Sequence, residues 1–212
     1  KQRTHNRLQK FSNQLNTTDK GALPFFVAIF IIGLVIPLLI NLGTIRLSVY
    51  RIILLLAFLP ALYLFLSGRA GRIRLPDLCV IGICLWSTLS VIVVHGWGGM
   101  IETIGILWLE TFGAYLVGRA FIRTPEHFYT TVRIIFFLGV IIIPFAIIEN
   151  LTDRNLILEF FDGIGGVYPN VPHEQRLGFE RAQGPFAHQI HLGVFFCASI
   201  GLVYDVVGYG RL

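Results

Sequence analysis

The stretch Arg181-Ala-Gln-Gly-Pro-Phe-Ala-His188-Gln-Ile-His191-Leu-Gly193 holds the densest set of groups that could do chemistry. Proline is tolerated in the first turn of a helix, where its missing N–H has no partner anyway, so Gly184-Pro185 reads as a helix start. The unpaired donors of that turn and the positive end of the helix dipole would then face water, with Arg181 three residues ahead of them. A guanidinium fork and a helix N-terminus at one place suit a phosphate or pyrophosphate. Beside such an anion His188 would act as a hydrogen-bond donor or proton carrier. His188 and His191, three apart, could formally share a metal, but no third ligand lies nearby and no metal is expected. The bland alternative is a loop arginine followed by two helix-packing histidines.

Two other places stand out. Glu110 lies near the centre of an apolar stretch. The eight strongly apolar residues around it contribute roughly 0.3 to 0.6 kcal/mol each toward membrane insertion, and a mid-membrane acid costs about 2.5 to 3.5 kcal/mol, which nearly cancels them. Glu110 is therefore expected to be protonated, paired or facing a polar cavity, with a helix-packing hydrogen bond as the alternative; Ser87 and Ser90 are candidate neutral partners. Arg51, with Arg46 just before it, falls one turn inside another apolar stretch. It either snorkels to lipid head groups or helps to form an anion site at the membrane boundary.

The elements that must position these groups follow from composition. The 212 residues are 55% hydrophobic and 14% charged, with a mean hydropathy of +0.72. A soluble domain carries about 25% charged residues to cover its surface, so the expectation is an all-α, polytopic membrane protein. Spans of about 20 apolar residues are expected at about 23–42, 48–67, 75–94, 103–122, 128–148 and 185–204, about six transmembrane helices in all. They divide the chain into a basic arm (1–22), five spans (23–148), an outer loop (149–184) and a sixth span (185–208), and a further part of a longer protein is expected after 212.

With the N-terminus inside, twelve of the 17 Lys and Arg residues fall on the inner side and only Arg46, Arg51, Arg154, Arg176 and Arg181 on the outer side. Basic residues are retained in the cytoplasm, so this orientation is favoured. The surplus of positive charge is thus a topology signal that touches anionic lipid, and no nucleic-acid partner is expected. Cys79, Cys84 and Cys197 all fall inside spans and suggest no disulfide framework.

Local signals fill in the connections. Leu75-Pro76-Asp77 opens a span with proline in the first turn and a carboxylate at the positive dipole end, so Asp77 is expected to be structural. Thr124-Pro125-Glu126 reads as an N-cap and helix start, and Trp97 suits the membrane interface. Asp153 is expected to cap a short helix carrying Leu156, Ile157, Phe160 and Phe161, and Gly163, Gly165, Gly166, Pro169 and Pro172 to make a mobile stretch after it.

The pattern Arg181-x-x-Gly184-Pro185-Phe186-x-His188, at the outer end of a span after a long outer loop, resembles the O-antigen ligase and O-antigen or exopolysaccharide polymerase superfamily. The run Glu110-Thr-Phe-Gly-Ala-Tyr115-Leu-Val-Gly-Arg119-Ala-Phe-Ile-Arg123 and the hairpin with Arg74-Leu-Pro-Asp77 support it. The resemblance covers about residues 23 to 205 and implies the N-terminal half of a C-type glycosyltransferase-like enzyme. Such an enzyme moves a glycan from undecaprenyl diphosphate onto lipid A core or a growing polysaccharide at the periplasmic face of the bacterial inner membrane, without metal or other cofactor. It implies that Arg181 contacts the carrier diphosphate, with Arg51 or Arg46 helping, and that the catalytic residues lie beyond Leu212. A rival from another class is half of a transporter or flippase, with Pro37, Pro60 and Pro144 interrupting spans and Glu110 coupling protons; a purely structural membrane subunit is a third.

Overall fold

A computed structural model describes residues 25–42, 45–96, 101–171 and 180–208. The basic arm, Trp97, and Pro172, Glu174 and Arg176 of the long loop lie outside the described residues.

Helix Phe25–Leu34 (α1) comes first. The Val35 and Ile36 N–H groups close a turn on the Ile32 and Gly33 carbonyls (3.2 and 3.3 Å), and Pro37 follows, which disfavours helix for the residue before it. The apolar stretch 23–42 is therefore not one helical span. The ten residues of α1 rise about 15 Å, half a hydrocarbon core. Its remainder is strand Leu38–Leu42 (β1), antiparallel to Ile45–Ser48 (β2) with Leu39 opposite Ser48. On the other edge of β1 lies Gly166–Val167 (β3), with Leu38 opposite Val167. The chain is mostly helical, with this three-stranded sheet, ordered β2-β1-β3, as an addition that the apolar pattern hid.

The other long stretches fold near their expected limits. They are Val49–Leu66 (α2), Leu75–His95 (α3), the pair Ile101–Trp108 (α4) and Ala114–Phe121 (α5) joined by the π-helical turn Leu109–Gly113, then Pro125–Thr152 (α6) and Gln189–Gly208 (α8). A short helix, Leu156–Asp162 (α7), precedes β3. Among the described residues five helices, with α4 through α5 taken as one, are long and apolar enough to cross a membrane. Their outer faces fit lipid rather than water: α3 buries only Asp77 and Cys84, and exposes Leu78, Ile83, Leu85, Trp86, Leu89, Val93 and Val94. The chain is a multi-pass membrane protein.

Local chemistry sets the helix ends. Thr124 caps α6 by accepting the His127 N–H (3.2 Å), as its sequence suggests. The cap of α7 is Asn155, whose side chain accepts the Leu158 N–H at 3.0 Å, not Asp153. Asp153 instead ends α6 in the left-handed conformation (φ 57°), a role its short polar side chain tolerates. The sixth span begins at Gln189 rather than Pro185. Gly184, at φ 59°, and buried Pro185 form a turn ahead of it.

The helices give the bundle two ends. The sheet end gathers the first turns of α2, α4 and α8 and the last turns of α3 and α6. The turn end carries the connection 67–74 and the Thr124 cap. Gly33 lets α1 press against the first turns of α2, where a Cβ would meet the Ile53 side chain at 2.6 Å.

Candidate functional site

Between α1, α2 and α8 at the sheet end lies a cavity of about 430 Å³. Its floor and sides are apolar, with Phe30 and Leu34 from α1, Leu54 from α2, and Val194 and Phe195 from α8. Tyr168, just after β3, and Phe186 and Ala187, just before α8, form its rim. Tyr50, Arg51, Glu110 and His191 supply polar groups on the wall. The cavity thus offers both charged groups and apolar surface.

The polar wall depends on the π turn. Trp108 ties α4 to α3 through its indole N–H and Thr88 Oγ1 (2.9 Å), while Leu116, Val117 and Ala120 bury α5 in the core beside α2. An α-helix advances about 100° per residue, so one extra residue in a turn reorients the face that follows it. Within that turn Glu110 Oε1 accepts the Tyr50 hydroxyl at 2.5 Å and Arg51 Nε at 2.7 Å. The Arg51 and Glu110 side chains remain 23% and 34% exposed, so the pair is within reach of a ligand in the cavity. Glu110 is therefore both paired and facing a cavity, and its partners come from α2 rather than from Ser87 or Ser90.

The remaining sequence candidates divide. Arg46 is exposed and lends its carbonyl to Arg51 Nη1 at 3.4 Å. Arg181 is half-buried and is not part of the cavity wall; nor is His188, whose neighbours Ala187 and His191 are. The anion site drawn from a helix start at Gly184-Pro185 is corrected on two counts. Arg181 stands eight residues ahead of Gln189, and the N–H groups just ahead of Pro185 already have an internal anion. The Gln183 and Gly184 N–H groups bond to Glu149 Oε1 and Oε2 at 2.8 and 2.9 Å. At the true helix start His188 serves as a cap: its Nδ1 accepts the Ile190 N–H (3.2 Å) and its carbonyl accepts the His191 N–H (3.0 Å). An accepting Nδ1 leaves the proton of the neutral ring on Nε2.

Glu149 is the residue that sequence reasoning missed most. It is 1% exposed and also accepts Asn155 Nδ2 at 3.1 Å. Gln183, fully buried, extends the hub: its Nε2 donates to the Pro169 and Phe186 carbonyls, and its Oε1 accepts the Val171 N–H. The described part of the stretch expected to be mobile after α7, up to Val171, is held by β3 on one side and Gln183 on the other. Together Glu149 and Gln183 hold both parts of the cavity rim, Tyr168 and Phe186, in place. The signal in the sequence was periodic: Glu149 falls seven residues after buried Ile142, on the buried stripe of α6. Burial holds the Tyr168 phenol above its usual value, opposed by Ser48 and Arg51 nearby, so it stays a neutral hydroxyl at physiological pH.

The fold defines a multi-pass membrane protein with an amphipathic cavity at one end. Set against protein-family models, curated proteins and solved structures, the chain matches none.

Proposed function

We propose that this chain belongs to an enzyme that transfers a polyprenyl-diphosphate-linked glycan onto lipid A core or a growing polysaccharide, with the sheet end at the periplasmic face of a bacterial inner membrane. The observation that carries the reading is the amphipathic cavity, where a guanidinium paired with a carboxylate, two phenols and an imidazole share the lining with aromatic and aliphatic side chains from membrane helices. A prenyl diphosphate likewise joins a charged head to a hydrocarbon. The motif around Arg181 and the twelve-to-five distribution of basic residues add support. In this reading the anomeric carbon is attacked with inversion and the diphosphate leaves, its charge met by Arg51 at the cavity wall. The acceptor is a glycan or a lipid, and no metal or nucleotide takes part.

The test is transfer of a labelled polyprenyl-diphosphate glycan by membranes carrying the whole protein. Arg51→Ala is expected to lower transfer at least about a hundredfold while insertion is unchanged, because it removes a charged contact to the leaving group. Wild-type transfer by this variant would refute the reading.

The second reading, a transporter or flippase with Glu110 coupling protons, is favoured by one feature. Glu110 sits on an interrupted helix and faces a cavity, as substrate-site groups in transporters do. Proteoliposomes separate the two readings: movement of the lipid-linked glycan across the bilayer without transfer would favour transport.

A further inference from the structure

We propose that anion capture in the sheet-end cavity is coupled to a proton: an anionic, lipid-tailed head group takes Arg51 from Glu110, and Glu110 takes a proton from water as it lets go. The inference rests on the cavity being the carrier's site. As the wall stands, one cation is matched by one anion. Glu110 Oε1 holds Arg51 Nε at 2.7 Å, so a diphosphate brought to the guanidinium would also come close to an ionised carboxylate. Like charges at such separations oppose binding strongly at a half-desolvated wall. Protonation removes that repulsion and moves no backbone. The neutral carboxyl keeps an oxygen for the Tyr50 hydroxyl and gains an O–H donor of its own.

The surroundings favour the exchange. Elsewhere among the described residues Arg51 makes the long contact from Nη1 to the Arg46 carbonyl and lies over the Tyr50 ring, 5.8 Å from its centroid. It also borders a second groove, lined by Leu47, Phe58, Glu102 and Trp108. The titratable groups around Glu110 are Tyr50 and Arg51 from α2, Tyr168 after β3, His191 from α8, and Cys84 of α3, which packs against the π turn; Glu102 of α4 lies beyond Arg51. Of these, His191 is the one imidazole and serves as the control.

The probe is a farnesyl diphosphate ester of N-acetylglucosamine, a diphosphodiester whose charge is constant between about pH 6 and pH 8. It is titrated into the full-length protein in nanodiscs. A site ionised when free and protonated when occupied binds best at low pH. The dissociation constant is therefore expected to rise by up to about tenfold per pH unit, and calorimetry in two buffers of different ionisation enthalpy to show about one proton taken up. Glu110→Gln should bind about tenfold or more tightly than the parent at pH 7.5 and lose the pH slope; Arg51→Ala should not bind, and His191→Gln should keep the slope.

Binding without proton uptake by the parent protein overturns the proposal whatever the variants do, as does a slope that survives in Glu110→Gln and vanishes in His191→Gln. If the probe binds at no pH, the assignment of the cavity falls and the coupling with it. The same ester with methyl in place of farnesyl separates the two sources of such a head group. It should bind at least about a hundredfold more weakly, and equal affinity would make the ligand a soluble anion and overturn the lipid-tailed part.

Discussion

The two ends of the bundle carry the same chemical trio, a carboxylate held by a tyrosine and an arginine, and use it differently. At the turn end Asp77 is fully buried, with the Tyr115 hydroxyl at 2.5 Å, Arg119 Nε at 3.3 Å and its own capping bond from the Arg74 N–H at 2.6 Å. Arg119 goes on to bond the Ala70 and Arg72 carbonyls, so the carboxylate and the arginine both end on backbone of the connection 67–74. At the sheet end Glu110, Tyr50 and Arg51 face a cavity and are half-exposed. A trio whose arms end on the chain itself is a lock. One with an arm open to a cavity is a place where something else can bind.

Substitutions should separate lock from site. The largest effect on folding is expected from Asp77→Ala, which strands Tyr115 and Arg119 and frees the connection they hold. Breaking a buried ion pair costs about 3 to 5 kcal/mol, whereas Glu110→Gln, at a part-exposed pair, should cost no more than about 1 kcal/mol. Unfolding in detergent followed by circular dichroism measures both, and equal losses would erase the distinction. Glu149→Gln should fall between them. It places an amide N–H₂ against at least one backbone donor, at about 1 to 3 kcal/mol for each group left unpaired. Because Glu149 holds the rim, this variant should also weaken ligand binding while leaving the Glu110-dependent pH slope intact.

The sequence was clear where structure is local. The limits of α2, α3 and α6 follow from runs of apolar residues, and the Thr124 cap and the structural role of Asp77 from their immediate neighbours. It was opaque where a distant group decides. Nothing near Pro185 shows that Glu149, more than thirty residues earlier, takes up the Gln183 and Gly184 N–H groups, so the local pattern puts the helix start four residues early. Leu38–Leu42 is apolar enough for a span, and only its pairing with β2 and β3 makes it a strand. Glu110 was legible as an oddity because an acid in an apolar helix is costly. Its partners were not, since Tyr50 and Arg51 lie about sixty residues away and reach it through a π turn that no apolar period predicts.

The most direct measurement of the central claim, that the sheet-end cavity receives a lipid-linked anion, is photolabelling of the full-length protein with a prenyl diphosphate sugar carrying a benzophenone on its chain. Label is expected in α1 and the first turns of α8, around Phe30, Leu34, Val194 and Phe195, displaced by unlabelled ligand and lost in Arg51→Ala. Label confined to the apolar groove between α6 and α8, around Phe136, Gly139 and Ile200, and indifferent to Arg51→Ala, would contradict it.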